Sequence, residues 1–130
     1  MNSTVINEYI NHFLKYNDSD SFHSLIEMGD DVLEQIELII GNGDSKNICL
    51  CLDVLREIRT DLALKVIQNL IRHESSEVWH YAIESYTYSC GHDAEEKLKS
   101  LINTSFSQGR LDYIAEVMDD LDCSGEVRDN

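Results

Sequence analysis

Positions 31 residues apart in this chain carry matching side chains. Ile36, Ile39 and Ile40 return as Ile67, Leu70 and Ile71, and the last two return again as Leu101 and Ile102. Ile48, Leu52 and Leu55 return as Trp79, Ile83 and Tyr86, then as Arg110, Ile114 and Val117. Ser45, Ser76 and Ser107 share one phase, and Gly29, Thr60 and Gly91 share another. A fixed period of about 20 to 50 residues with apolar positions at helical spacing is the signature of stacked supersecondary units. One such unit cannot bury its own apolar face, so neighbours must stack and share a core.

The units read as helix pairs. Val5, Ile6, Tyr9, Ile10, Phe13 and Leu14 form one stripe on a helix over Asn2–Lys15. Asn17–Ser21 is a polar break rich in N-cap residues. A shorter helix follows with Phe22, Leu25, Ile26 and Met28, ending at Gly29. Leu33, Ile36, Ile39 and Ile40 mark the next, with Asp31 and Glu34 at capping-box spacing, and Gly41-Asn42-Gly43-Asp44 is a turn. Lys46–Arg59 and Asp61–His73 form a hairpin about Thr60, and Val78–Cys90 and Asp93–Thr104 form another about Gly91. Asp93 and Glu96 repeat the capping-box spacing. The last helix, Gln108–Leu121, is expected to bury Leu111, Ile114, Ala115, Met118 and Leu121. Ile36–Ile40 and Ile48–Leu52 are β-rich locally, but each lies inside a longer stretch of period about 3.6, which decides for helix. With no proline in 130 residues, nothing of that kind breaks a helix from within. The expectation is an all-α fold, an α-α superhelix of antiparallel hairpins with about eight helices. It comprises one domain over 1–122 and a flexible tail over 123–130.

Charge separates the ends from the middle. The net charge is −15. Residues 1–44 hold nine acids and one base, 45–104 hold nine and seven, and 105–130 hold seven and two. Such a balance opposes nucleic-acid binding, which requires cationic neutralisation of phosphates, and favours a basic partner or plain solubility. No apolar run nears the roughly 18 residues of a membrane span. Met1–Ile10 lacks the basic start and apolar core of a secretion signal, so the expected location is cytoplasmic.

Residues with catalytic or ligating chemistry are present without a pattern. Cys49, Cys51, Cys90 and Cys123 read as free thiols rather than a disulfide framework. Cys90-Gly91-His92 with Cys49 and Cys51 offers zinc-ligand types, but reads more simply as a helix end, a turn and core thiols. No phosphate-cradling loop or local nucleophile signature occurs, and neither an enzyme nor a cofactor is expected. Asp112, Glu116 and Asp119 form a carboxylate strip opposite the apolar face of the last helix, either a solvated face or a docking strip for lysine and arginine. Tyr81 and Tyr88, seven apart, share one face of their helix, either outward as interface anchors or half-buried against a neighbour.

Val78-Trp79-His80-Tyr81-Ala82-Ile83 followed by Gly91-His92-Asp93-Ala94 resembles one short HEAT-like repeat of the phycobilin-lyase type. Ile48-Cys49-Leu50-Cys51-Leu52 with Thr60-Asp61-Leu62-Ala63 resembles another, and Gly29-Asp30 resembles the turn of a third. Cys49 and Trp79 stand where that pattern has arginine, and His92 where it has the turn aspartate. The resemblance implies an α-solenoid and leaves function open. By size, charge and repeat architecture the chain also resembles small acidic bacterial immunity proteins. Those block cognate nuclease toxins, including toxins of contact-dependent growth inhibition. The resemblance implies a monomer that neutralises a basic protein through Asp30, Glu34, Glu37, Asp112, Glu116, Asp119 and Asp120, with Tyr81 and Tyr88. The alternative is a HEAT-like adaptor or scaffold subunit using the Trp79–Tyr88 face. A lyase or nucleic-acid repair enzyme on the same fold is a third class, which the acidity opposes in its nucleic-acid form.

Overall fold

A computed structural model describes residues 3–104 and 106–129, with side chains described as far as Leu121. Every regular element among the described residues is helical. The helices are α1 Ser3–Tyr16, α2 Ser19–Met28, α3 Leu33–Asn42, α4 Ser45–Ile58, α5 Asp61–Leu70, α6 Ser76–Cys90, α7 Ala94–Leu101 and α8 Gln108–Asp129. Side chains of the expected tail at 123–130 lie outside the described residues.

Three helices start on side-chain caps. Asp18 accepts from Ser21 N–H (2.9 Å), Asp44 from Asn47 N–H (2.9 Å) and Thr60 Oγ1 from Ala63 N–H (3.2 Å). The capping boxes expected at Asp31/Glu34 and Asp93/Glu96 do not form. Single 3₁₀ turns, Gly29–Val32 and Gly91–Asp93, run straight into α3 and α7, and neither Val32 nor Asp93 makes a side-chain cap bond. The turn carbonyls of Asp30 and Gly91 take the first N–H groups instead, those of Leu33 and Ala94.

The shared phase of Gly29, Thr60 and Gly91 has a backbone cause. Gly29 and Gly91 hold φ of 60° and 61°, open to residues without a Cβ. In the middle unit the positive φ moves one residue back, to Arg59 at 61°, freeing Thr60 to cap α5. Gly43 is fixed differently: a Cβ there would lie 2.6 Å from the Ile39 carbonyl oxygen.

The core runs the length of the chain, from Ile10 and Phe13 through Leu25, Ile36, Ile48, Leu52, Leu55, Ile67, Ile71 and Ile83 to Leu98 and Ile114. α6 lies at its centre, packed against α4, α5, α7 and α8, while α2 packs on α4. Residues about one period apart touch: Ser45 Oγ donates to Ser75 Oγ (3.1 Å), and the Thr60 hydroxyl donates to Asp30. α1 packs chiefly on α2 and α3, and of its stripe Ile6, Ile10 and Phe13 are buried while Val5 and Tyr9 stay exposed. Ala115, expected in the core, is exposed as well.

Arg110 occupies the phase held by Ile48 and Trp79 and acts as a clamp. Its Nε donates to the Ile71 carbonyl (2.6 Å), Nη2 to the His73 carbonyl (2.5 Å) and Nη1 to Ser107 Oγ (2.7 Å). The guanidinium carbon lies 5.0 Å from the Trp79 ring centroid. A cation on carbonyls just past the C-terminus of α5 satisfies acceptors there and complements the helix dipole. This ties α8 to both α5 and α6.

Candidate functional site

α4 and α6 run in the same direction. Ser45 meets Ser75 where they begin, the Tyr81 hydroxyl donates to Asp53 farther along, and the Arg56 guanidinium lies 4.8 Å from the Tyr88 ring centroid beyond that. Between them is an open groove of about 680 Å³. Lys46, Cys49, Leu50 and Asp53 line it from α4, and Ser76, Glu77, His80, Tyr81 and Glu84 from α6. Four of these pairs are repeat equivalents, 31 residues apart: Lys46 with Glu77, Cys49 with His80, Leu50 with Tyr81 and Asp53 with Glu84. Each helix therefore gives one i, i+3, i+4, i+7 stripe, and the packing of α4 on α6 sets the two stripes side by side. Cys49, Leu50, Asp53 and Tyr81 are half-buried, while Glu77 and Glu84 are exposed.

The groove is electrostatically negative. Burial, followed by the hydrogen bond to Asp53 and its charge, pushes the Tyr81 hydroxyl up to about 12. Burial raises the Cys49 thiol too, with Glu77 and then Asp53 adding to it. Both groups resist becoming anions, first because they are part-buried and then because carboxylates stand beside them.

Past Glu84 the acidic surface continues onto α8. Tyr113 is raised by burial first, then by Glu84, which is within its hydrogen-bonding reach, and by Glu116 and Asp120. An aromatic wall backs these groups. The His80 ring stacks on Trp79 with centroids 3.8 Å apart, and Tyr113 meets His80 edge-on at 4.5 Å.

Bases nearby are turned to other work. Arg56 lies 5.6 Å from the Tyr81 centroid as well as close to Tyr88, and its Nε is buried with no hydrogen-bond partner. Arg59 lies 4.9 Å from the Tyr88 centroid, Arg72 lies 4.4 Å from that of Phe106, and Lys99 pairs with Glu95 at 3.3 Å. Among the residues lining the groove, Lys46 is the single base.

Of the residues singled out from the sequence, Tyr81, Glu116 and Asp120 belong to this face. The two alternatives for the tyrosines divide: Tyr81 is half-buried on Asp53, and Tyr88 is 46% exposed. Asp112 is exposed and accepts from Gln108 Nε2 at 2.7 Å; Asp119 is exposed on the same helix. Asp30, Glu34 and Glu37 are exposed near α3, where Asp30 holds Thr60 and Glu37 borders a separate hollow of about 340 Å³ with Val66 and Leu70. Asp53, Glu77, Glu84 and Tyr113 were missed. The 31-residue spacing carries a signal for Asp53, Glu77 and Glu84 as positions matched on α4 and α6, but none for Tyr113, whose matched position is Ala82.

Two other arrangements have simpler chemistry. His12 Nδ1 lies 2.9 Å from Asp18 Oδ1 and 3.0 Å from Ser21 Oγ. A triad histidine uses both ring nitrogens, one toward the nucleophile and one toward the carboxylate. Here one nitrogen meets both partners, which makes this a tie across the α1–α2 turn. Among the described residues no group of three or more metal-ligating side chains assembles, and Cys49, Cys51 and Cys90 are free thiols.

No family model, curated protein or solved structure matches this chain. Functional assignment rests on the acidic, aromatic-walled face itself.

Proposed function

We propose that this chain is a non-catalytic binding protein that neutralises a basic protein, and that the partner is a nuclease toxin countered by its cognate bacterial immunity protein. The observation that supports this is the placement of Asp53, Glu77, Glu84, Glu116 and Asp120 about one aromatic-walled face of α4, α6 and α8. A surface of that sign repels a phosphate backbone and steers a cationic one. Phosphate-binding sites on nucleases are cationic, so carboxylates held on a rigid face can occupy positions that phosphates would take. A HEAT-like superhelix over 1–122 would supply that rigidity, because each stacked hairpin is buttressed by its neighbours. The protein would act in the cytoplasm as a monomer, without a cofactor.

The test is capture of partners from the native host, elution along a salt gradient and assay of retained proteins for nuclease activity. The expected result is one basic nuclease that elutes with salt and is inhibited by the added chain. Reversing Glu84, Glu116 and Asp120 to lysine should weaken binding and slow association. Retention of neutral partners unmoved by salt would replace this reading with the adaptor, which would rely on the Trp79–Tyr88 face.

A further inference from the structure

We infer that the groove between α4 and α6 seats a basic amphipathic helix of the partner, about two turns long. The inference rests on the reading of a basic partner and adds the form of what that partner inserts. Length is the first argument. Lys46 to Asp53 and Glu77 to Glu84 each span seven residue steps, and at about 1.5 Å per step that is roughly 10 Å, or two helical turns.

Hydrogen bonding is the second. Both walls are helices whose own ladders occupy their backbone groups, so the groove offers no free row of N–H and C=O. An extended segment laid there would surrender its backbone hydration and gain little in return. A helix arrives with its backbone already satisfied, and its side-chain ridge fits between two helices running the same way.

Charge is the third. Lys46 and Glu77 offset each other at the N-terminal end, while Asp53 and Glu84 stand at the other with no lysine or arginine in the lining, and Glu116 and Asp120 lie beyond Tyr113. Half-buried Cys49, Leu50 and Tyr81 run between the acids. The matching helix carries apolar residues at i, i+3, i+4 and i+7, with arginine or lysine on both flanks crowded toward the Asp53–Glu84 end.

The probe is a stapled helical peptide of roughly four turns with leucines at that spacing and arginine flanks. Its twin has the same composition, with two central D-residues and no staple, so that charge is equal and helix is lost. Both are fluorescently labelled and titrated with the full chain by anisotropy. The stapled peptide should bind at least about tenfold more tightly than its twin. Leu50→Arg should abolish that preference, and so should the double change Glu77→Lys/Glu84→Lys. Glu8→Lys/Glu27→Lys, two exposed changes on α1 and α2 with the same change in net charge, should leave it intact. Circular dichroism checks each variant, and if Leu50→Arg fails to fold, the double variant on the exposed glutamates decides. Equal binding of the two peptides, or an equal loss in the Glu8→Lys/Glu27→Lys chain, overturns the inference. Nuclease inhibition that survives Leu50→Arg sinks the groove and keeps the immunity reading. A helix preference without any inhibited nuclease keeps the groove and sinks the toxin.

Discussion

Cys51, Tyr81 and Tyr86 hold their protons more tightly in the folded chain, each pushed up to about 12 from ordinary values of 9.0 for the thiol and 10.0 for the phenols. Burial leads in all three, with Asp53 adding at Cys51 and Tyr81 and Cys90 at Tyr86. The sign follows from linkage. Below about pH 9 both folded and unfolded chains keep these protons and the contribution is complete. Between about pH 9 and 12 the unfolded chain releases them first, so stability falls as pH rises. Urea midpoints measured at stepped pH should therefore decline across that window; a flat or rising midpoint would contradict the burial of these groups. Cys51 should also be the last of the three described thiols to react with a thiol reagent near pH 8, reacting only as the chain opens. Cys49 and Cys90 are raised by burial too, but both are only half-buried. An apolar position on a helix stripe made the burial of Cys51 legible from the sequence. The Tyr81–Asp53 bond was not legible, because it depends on how far one unit slides along the next.

At the scale of elements, helix ends decide what is fixed. Thr60 caps α5 with its oxygen and donates its proton to Asp30 of the preceding unit. Thr60→Ala should cost about 1 kcal/mol and Thr60→Ser much less, since serine keeps both bonds. Equilibrium urea unfolding reads the difference. Arg110 joins α8 to the end of α5, and Arg110→Ala should cost about 2 kcal/mol by removing charge-assisted bonds to two carbonyls. Arg110→Lys should recover little, because an ammonium cannot reach both carbonyls and stack on Trp79 together. Trp79 fluorescence, from the sole tryptophan, should shift in both variants. If lysine restores full stability, the clamp is only a charge at a helix terminus. Turn residues and apolar periodicity located most of these elements. The capping boxes failed because the chain enters α3 and α7 from 3₁₀ turns whose own carbonyls take the first N–H groups.

For the whole molecule, a charge of −15 on 130 residues makes self-repulsion a standing cost. Raising ionic strength from very low to about 0.15 M, where the screening length is about 8 Å, should raise the melting temperature. The same salt should slow association with a basic partner, so the two effects run in opposite directions. A melting temperature that falls with salt would mean that attractive pairs outweigh the repulsion. The middle of the chain is nearly neutral when counted along the sequence, yet its groove is acidic. Arg56, Arg59 and Arg72 lie against aromatic rings and Lys99 answers Glu95, while among the groove's lining residues Lys46 is the single lysine or arginine beside Asp53, Glu77 and Glu84.

By itself the sequence determined that the chain is helical, where most helices begin and end, and much of the stripe that each buries, Val5 and Tyr9 of α1 and Ala115 of α8 being exposed exceptions. Those features are local: apolar period, turn residues and N-caps act within a few positions of one another. Only the tertiary structure decided which carboxylates share a surface. Side chains matched at a 31-residue spacing do not say how the helices that carry them slide or rotate against each other. That register comes from side-chain packing between units, with α6 held among α4, α5, α7 and α8. Once it is set, Lys46 and Asp53 lie across from Glu77 and Glu84, and an evenly charged stretch of sequence becomes an acidic groove.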